Sequence, residues 1–188
     1  DVLLLPNSGE AADYIPELSQ VDTNQLAVCL LKKDGSLFHA GAWEEQFSIQ
    51  SVVKVLTLCL AYQKLGGDIW DRVGVEPSGT PFNSLGHLEY ENGIPRNPFS
   101  NAGALVVCDV LMGLYDDPLA AVLDTVRVAT GNQDIRVDSI IANSEKSEGY
   151  RNVALANLIK SLGNIHHDVD ELLDFYFDCC DVVSCDYF

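Results

Sequence analysis

Apolar residues fall into short runs near the start of the chain and into helical stripes over most of the rest. QLAVCLL (25–31) and SLFHA (36–40) are joined by KKDG, and Asp-Gly between two such runs predicts an antiparallel hairpin. The pattern then turns helical and predicts a helix over 51–65, closed by Gly66-Gly67. Residues 67–100 show no period and are rich in Gly, Pro and Asn. A loop of that length in a compact domain is either functional or disordered. Phe82, Leu85, Leu88, Tyr90, Ile94 and Phe99 argue against disorder, so a packed loop wrapped round a site is expected. Helical stripes return at 102–115, 118–130, 151–162 and 169–177, with Pro118 suited to a first helical position and Asp168 to a cap. The final DVVSCDYF reads as a strand.

Strands first and helices afterwards predict one helix-rich α+β domain over residues 1–188. A two-stranded hairpin is not a stable sheet alone, and the chain ends in an apolar run without a polar tail. The expectation is therefore a domain truncated at its C-terminus, and the missing initiator Met suggests a trimmed N-terminus.

Composition changes this picture only through charge. A formal net charge of −17 argues against nucleic acid or an anionic membrane as partners. No apolar run approaches the ~20 residues of a membrane span, and the leading DVLLLP lacks the basic start of a signal peptide. Cys29, Cys59 and Cys108 lie in apolar segments, where a thiol behaves as a small hydrophobe. Cys179, Cys180 and Cys185 cluster without metal-ligand spacing, and the adjacent His166 and His167 point to different sides of the chain. No metal site is assigned. Reduced thiols without an export signal point to the cytoplasm.

One lysine is out of place. Lys54 sits in FSIQSVVKVLTLCLAY, with valines on either side and Ser51 three residues earlier. Residues i and i+3 of a helix share a face, about 5–6 Å apart at Cβ. Ser51 falls in the first turn, where unpaired N–H groups favour negative charge. That field and desolvation by the valines lower the lysine pKa from its reference of ~10.4. A neutral lysine beside a serine is a general base beside a nucleophile. The plain alternative is a lysine snorkelling out of a core helix. Ser48 is a competing serine, offset from the face of Lys54.

LEYENGIPRNPFSNAGAL (88–105), with GVEPSGTPFNS before it and FSIQS-x-x-K upstream, closely resembles the serine-dependent glutaminases. That family is related to the serine β-lactamases and penicillin-binding proteins. ADYIPEL (12–18), SEKSEGYRN (144–152) and the YF-x-x-C beginning at Tyr176 fit it too, so the resemblance covers nearly the whole chain. It implies a β-lactamase/transpeptidase-like fold, helix-rich with an antiparallel sheet. It also implies hydrolysis of L-glutamine to L-glutamate and ammonia through a serine acyl-enzyme, with no cofactor and as a homo-oligomer.

Carried over by position, Ser51 is the nucleophile, with its backbone N–H as one oxyanion donor, and Lys54 is the base. Tyr14, Gln50, Asn101, Glu145, Asn152 and Tyr176 match positions that hold the substrate. A carboxylate such as Glu145 suits an α-ammonium, and amides and phenols can donate to an α-carboxylate. Taken alone, Asn101 reads as a helix cap, Glu145 as a solvated loop charge, and the two tyrosines as boundary residues. Val53 stands where many bacterial members have a second serine, at a position that varies. Family members also continue for roughly another hundred residues, with further strands, another active-site tyrosine and a second oxyanion N–H. Two alternatives follow from these residues: another Ser-x-x-Lys acyl-transfer enzyme of the β-lactamase kind, or a catalytically incomplete fragment that binds substrate or partner subunits.

Overall fold

The computed structural model describes residues 9–185, together with the side chains up to Val183; the leading DVLLLP and the final three residues lie outside them. The predicted hairpin forms as β1 (Ala27–Leu31) and β2 (Leu37–Gly41), with Ala27 opposite Gly41 and Leu31 opposite Leu37. Its turn is closed by Gly35 N–H donating to Lys32 O and by Ser36 N–H donating to the Asp34 carboxylate. Neither face is covered, because Val28, Leu30, Leu31 and Phe38 are all more than half exposed.

The C-terminal strand also forms, as β5 (Val182–Cys185), and it is the centre of a second sheet. It pairs antiparallel with β3 (Gln46–Ser48) on one side and β4 (Arg136–Val137) on the other. Ile49 N–H donates to Val182 O at 3.0 Å and Asp138 N–H to Asp181 O at 2.8 Å, so both flanking strands stay tied to the chain just before and within β5.

Six α-helices complete the described residues: α1 (Val53–Leu65), α2 (Asn101–Leu114), α3 (Pro118–Thr130), α4 (Ser139–Glu148), α5 (Tyr150–Ser161) and α6 (Val169–Cys180). Gly66 ends α1 at φ +56°, a conformation a side chain would strain. Pro118 opens α3 behind the Asp117 cap, and Asp168 caps α6 by accepting from the N–H groups of Asp170 and Glu171. Sequence periodicity missed α4, since only Ala142 of its ten residues is buried and no apolar stripe announces it. Its start is nonetheless marked by Asp138, whose carboxylate accepts from Ile140 and Ile141.

Helix α2 is the axis of the core. Its residues from Ala102 to Leu111 are all buried, and α1, α5 and α6 pack around it. The stretch expected as a loop over 67–100 begins instead with a 3₁₀ helix, Gly66–Asp71, that buries Ile69; residues 72–100 carry no helix or strand and cross α2 at close range. A Cβ on Gly103 would lie 1.9 Å from Asn97 O, so only glycine allows that approach. The loop is held less by its aromatics than expected: Val73 and Leu88 are buried, whereas Phe82 and Tyr90 are exposed. Backbone pairs carry it instead, Gly74 N–H to Pro95 O and Glu76 N–H to Arg96 O.

A second anchor is Asp109 of α2, 1% exposed. It accepts from Arg72 Nη2 at 2.7 Å, from the backbone N–H groups of both His166 and His167, and pairs with His167 Nδ1 at 2.9 Å. The histidine pair is thus fastened to a structural carboxylate. Cys108, Cys179 and Cys180 are buried as free thiols, while Cys59 is exposed despite its apolar neighbours because it lies on the outer face of α1. Among the described residues no helix is long and apolar enough to cross a membrane.

Candidate active site

The chain enters α1 through a 3₁₀ turn, Gln50–Val52, and Gln50 stands at φ +47°, an uncommon backbone position for a residue with a side chain. That bend turns the following residue outward. Ser51 is exposed, and its hydroxyl makes no hydrogen bond among the described residues. Lys54, one turn on, faces inward and is 4% exposed.

The snorkelling alternative for Lys54 therefore fails. Its ammonium donates to Asn101 Oδ1 at 2.7 Å and to Phe99 O at 3.1 Å, not to Ser51. An amide oxygen and a carbonyl at the start of α2 outbid the hydroxyl because both are fixed by the loop and helix beneath. Burial pulls the lysine pKa below its ordinary value, partly opposed by Cys180, Cys108 and Glu145 nearby.

Asn101 is not the cap of α2. Ser100 takes that role, its Oγ accepting from Gly103 N–H at 3.1 Å. The Asn101 side chain is left free for the site: besides accepting from Lys54, its Nδ2 donates to Asn152 Oδ1 at 3.0 Å. Asn152 lies on α5 and is buried. Lys54, Asn101 and Asn152 form one hydrogen-bonded line.

A second group forms around Gln50. Its Nε2 donates to Asp181 Oδ1 at 2.7 Å, to Ser48 Oγ at 3.2 Å and, more distantly, to Glu145 Oε2 at 3.4 Å. Glu145 is on α4 and partly buried, which corrects its reading as a solvated loop charge. Burial raises its pKa, against the lowering effects of Asp181, Gln50 and the Lys54 charge. Asp181, fully buried after α6, is pushed up to about 8 by burial and then by the charge and hydrogen bond of Glu145.

Tyr176 on α6 is 3% exposed, edge-on to Phe177 at 5.4 Å, and burial drives its hydroxyl well above the usual phenol range. It is a core residue with Cys180 beside it, more enclosed than a boundary position. Tyr14 is 59% exposed, next to the fully buried Ile15 that pins the N-terminal segment. Partial burial, then Glu145, Cys180 and Asp181, raise its pKa. A cavity of about 1070 Å³ opens beside Ser48 and Gln50, between the N-terminal segment and the hairpin.

Five of the eight expected residues thus fall into two hydrogen-bonded groups, Lys54–Asn101–Asn152 and Gln50–Glu145, while Tyr14 and Tyr176 feel the charge of Glu145 and Ser51 stands exposed in the turn between Gln50 and Lys54. Asp181 and Cys180 join them and were missed. Asp181 carried a usable signal, because a carboxylate inside CCDVVSC is as anomalous as the lysine inside its valines.

A family profile described as Glutaminase matches residues 9–186. The chain belongs to the glutaminase family. It is 52% identical over 179 residues to a glutaminase of Christiangramia forsetii, covering 95% of this chain and 59% of that one. Among solved structures it resembles a probable glutaminase, ybaS, with a TM-score of 0.86 and 31% identity over 94% of this chain and 58% of the other. It also resembles a probable glutaminase from Bacillus subtilis complexed with 6-diazo-5-oxo-L-norleucine, at TM-score 0.81 and 32% identity over 94% and 53% of the two chains. The chain therefore spans a little over half the length of these glutaminases. Its fold is the helix-rich, antiparallel, β-lactamase-like α+β architecture expected.

Proposed function

We propose that this glutaminase-family chain hydrolyses L-glutamine to L-glutamate and ammonia through a serine acyl-enzyme. The observation that carries the reading is Lys54: a buried lysine one turn after an exposed serine, with its ammonium held by Asn101 and Phe99 and its pKa lowered by desolvation.

Ser51 Oγ attacks the side-chain amide carbon while its proton passes to the lysine amine. The tetrahedral oxyanion lies at the start of α1, with the Ser51 N–H as one donor. The C–N bond then breaks, the nitrogen takes the proton from Lys54, and ammonia leaves. Water attacks the acyl-enzyme by the same route in reverse. Lys54 must exchange its bond to Asn101 for one to Ser51 during each half-reaction, and the line to Asn152 keeps Asn101 in position meanwhile. Glu145 takes the α-ammonium, and Asn101, Asn152, Tyr176, Tyr14 and Gln50 frame the rest of the amino acid. The chain acts as one domain and in the cytoplasm, where its free thiols fit a reducing compartment, and it works as a homo-oligomer.

The test is ammonia and glutamate release from L-glutamine, comparing the wild type with Ser51→Ala and running a chromogenic β-lactam alongside. Release by the wild type alone supports the reading. No release by the wild type, equal release by Ser51→Ala, or turnover of the β-lactam only overturns it and leaves family membership untouched.

A further inference from the structure

Asp181 and Glu145 come from different elements, yet their carboxyls meet on the same amide nitrogen of Gln50. Asp181 is 0% exposed and Glu145 partly buried, so solvent relieves little of the repulsion between them. Written as a carboxylate, Asp181 also has a buried Oδ2 with no donor among the described residues. A buried acceptor without a donor is costly. A proton resolves both difficulties: the acid becomes a donor, and Glu145, whose carboxyl meets the same Gln50 amide, is the acceptor at hand. The surroundings favour that state. Asp138 before α4 and Asp178 on α6 add negative charge, Tyr14 and Cys180 add none at neutral pH, and Lys54 is the cation whose charge acts on Glu145.

We propose that Asp181 is a positioning residue: it shares one proton with Glu145, and the singly charged pair holds the Gln50 amide and hence the turn that presents Ser51. This rests on the function proposed above. It adds a group that sequence carry-over did not supply, and it gives the left-handed Gln50 a reason to persist, since strained backbone lasts only where surrounding contacts fix it.

The test compares wild type, Asp181→Asn and Asp181→Ala by two readouts. Asparagine keeps a donor for Glu145 and an acceptor for Gln50, whereas alanine keeps neither. In glutamine hydrolysis near pH 7, Asp181→Ala loses ~10-fold or more in rate and Asp181→Asn recovers most of that loss. The ratio of wild-type to Asp181→Asn rate falls as pH rises through about 8, where the pair loses its shared proton. Thermal melts read the same proton without catalysis. A carboxyl raised from 3.8 to about 8 stabilises most at low pH and loses that contribution on the way up. The wild type therefore loses melting temperature relative to Asp181→Asn between about pH 4 and pH 8. Parallel melts, a constant rate ratio, or an asparagine variant as slow as the alanine one overturns the proposal. If no form hydrolyses glutamine, the proposed function fails, and the melts decide the shared proton by themselves.

Discussion

Lys54 and Asp181 are opposite charges under one physical constraint: each is buried, and burial favours its neutral form. For Lys54 the consequence is an amine able to accept a proton. Lys54→Met keeps the volume and removes the amine, so hydrolysis falls by about 10²–10⁴-fold. Stability changes far less, because a desolvated charge contributes little net stability. The lysine leaves its own mark on the melts. Its folded pKa lies below 10.5, so the folded state holds fewer protons than the unfolded one in that window. Wild type should gain melting temperature over Lys54→Met as pH climbs toward 10.5, and parallel curves would show an ordinary lysine. At this scale the sequence was most readable where one letter broke an apolar run. It misled where a side chain had two local uses: Asn101 looked like a cap until Ser100 proved to be one.

Among the elements, α2 matters most to the site because it carries Asn101 at its first position and Gly103 at its third. The loop lies so close to Gly103 that a methyl group there would collide with Asn97 O, and Phe99, whose carbonyl holds Lys54, is two residues further along. Gly103→Ala should therefore destabilise the protein by about 1–3 kcal/mol or more in denaturant melts. It should also depress hydrolysis beyond that loss of fold, and unchanged kinetics in the folded variant would uncouple the loop from the lysine. Long helices and the hairpin were legible because their signals are local. The second sheet was not: β3 and β4 are three and two residues long, and their shared partner lies near the far end of the chain. Helix α4, with Ile140, Ile141 and Ala142 its apolar residues, shows no stripe, and its Asp138 cap went unread.

For the molecule as a whole, a charge of −17 argues against a polyanion as partner, but it carries no information about the shape of the site. Nor could composition reveal that the two sheets differ in kind. One has its central strand β5 starting at the fully buried Val182, while the hairpin, among the described residues, pairs chiefly with itself and leaves Val28, Leu30, Leu31 and Phe38 open to water. That difference can be read as time. In heavy water the amides of α2 wait for the entire fold to open, whereas those of β1 and β2 need only two strands to part. Hairpin protons should exchange ~10²-fold or more faster than those of α2, as mass spectrometry of quenched fragments would show. The chain runs from the hairpin through β3 and Gln50 into α1, which packs on α2, so the turn that presents Ser51 sits on the passage between the quick part of the protein and its patient one.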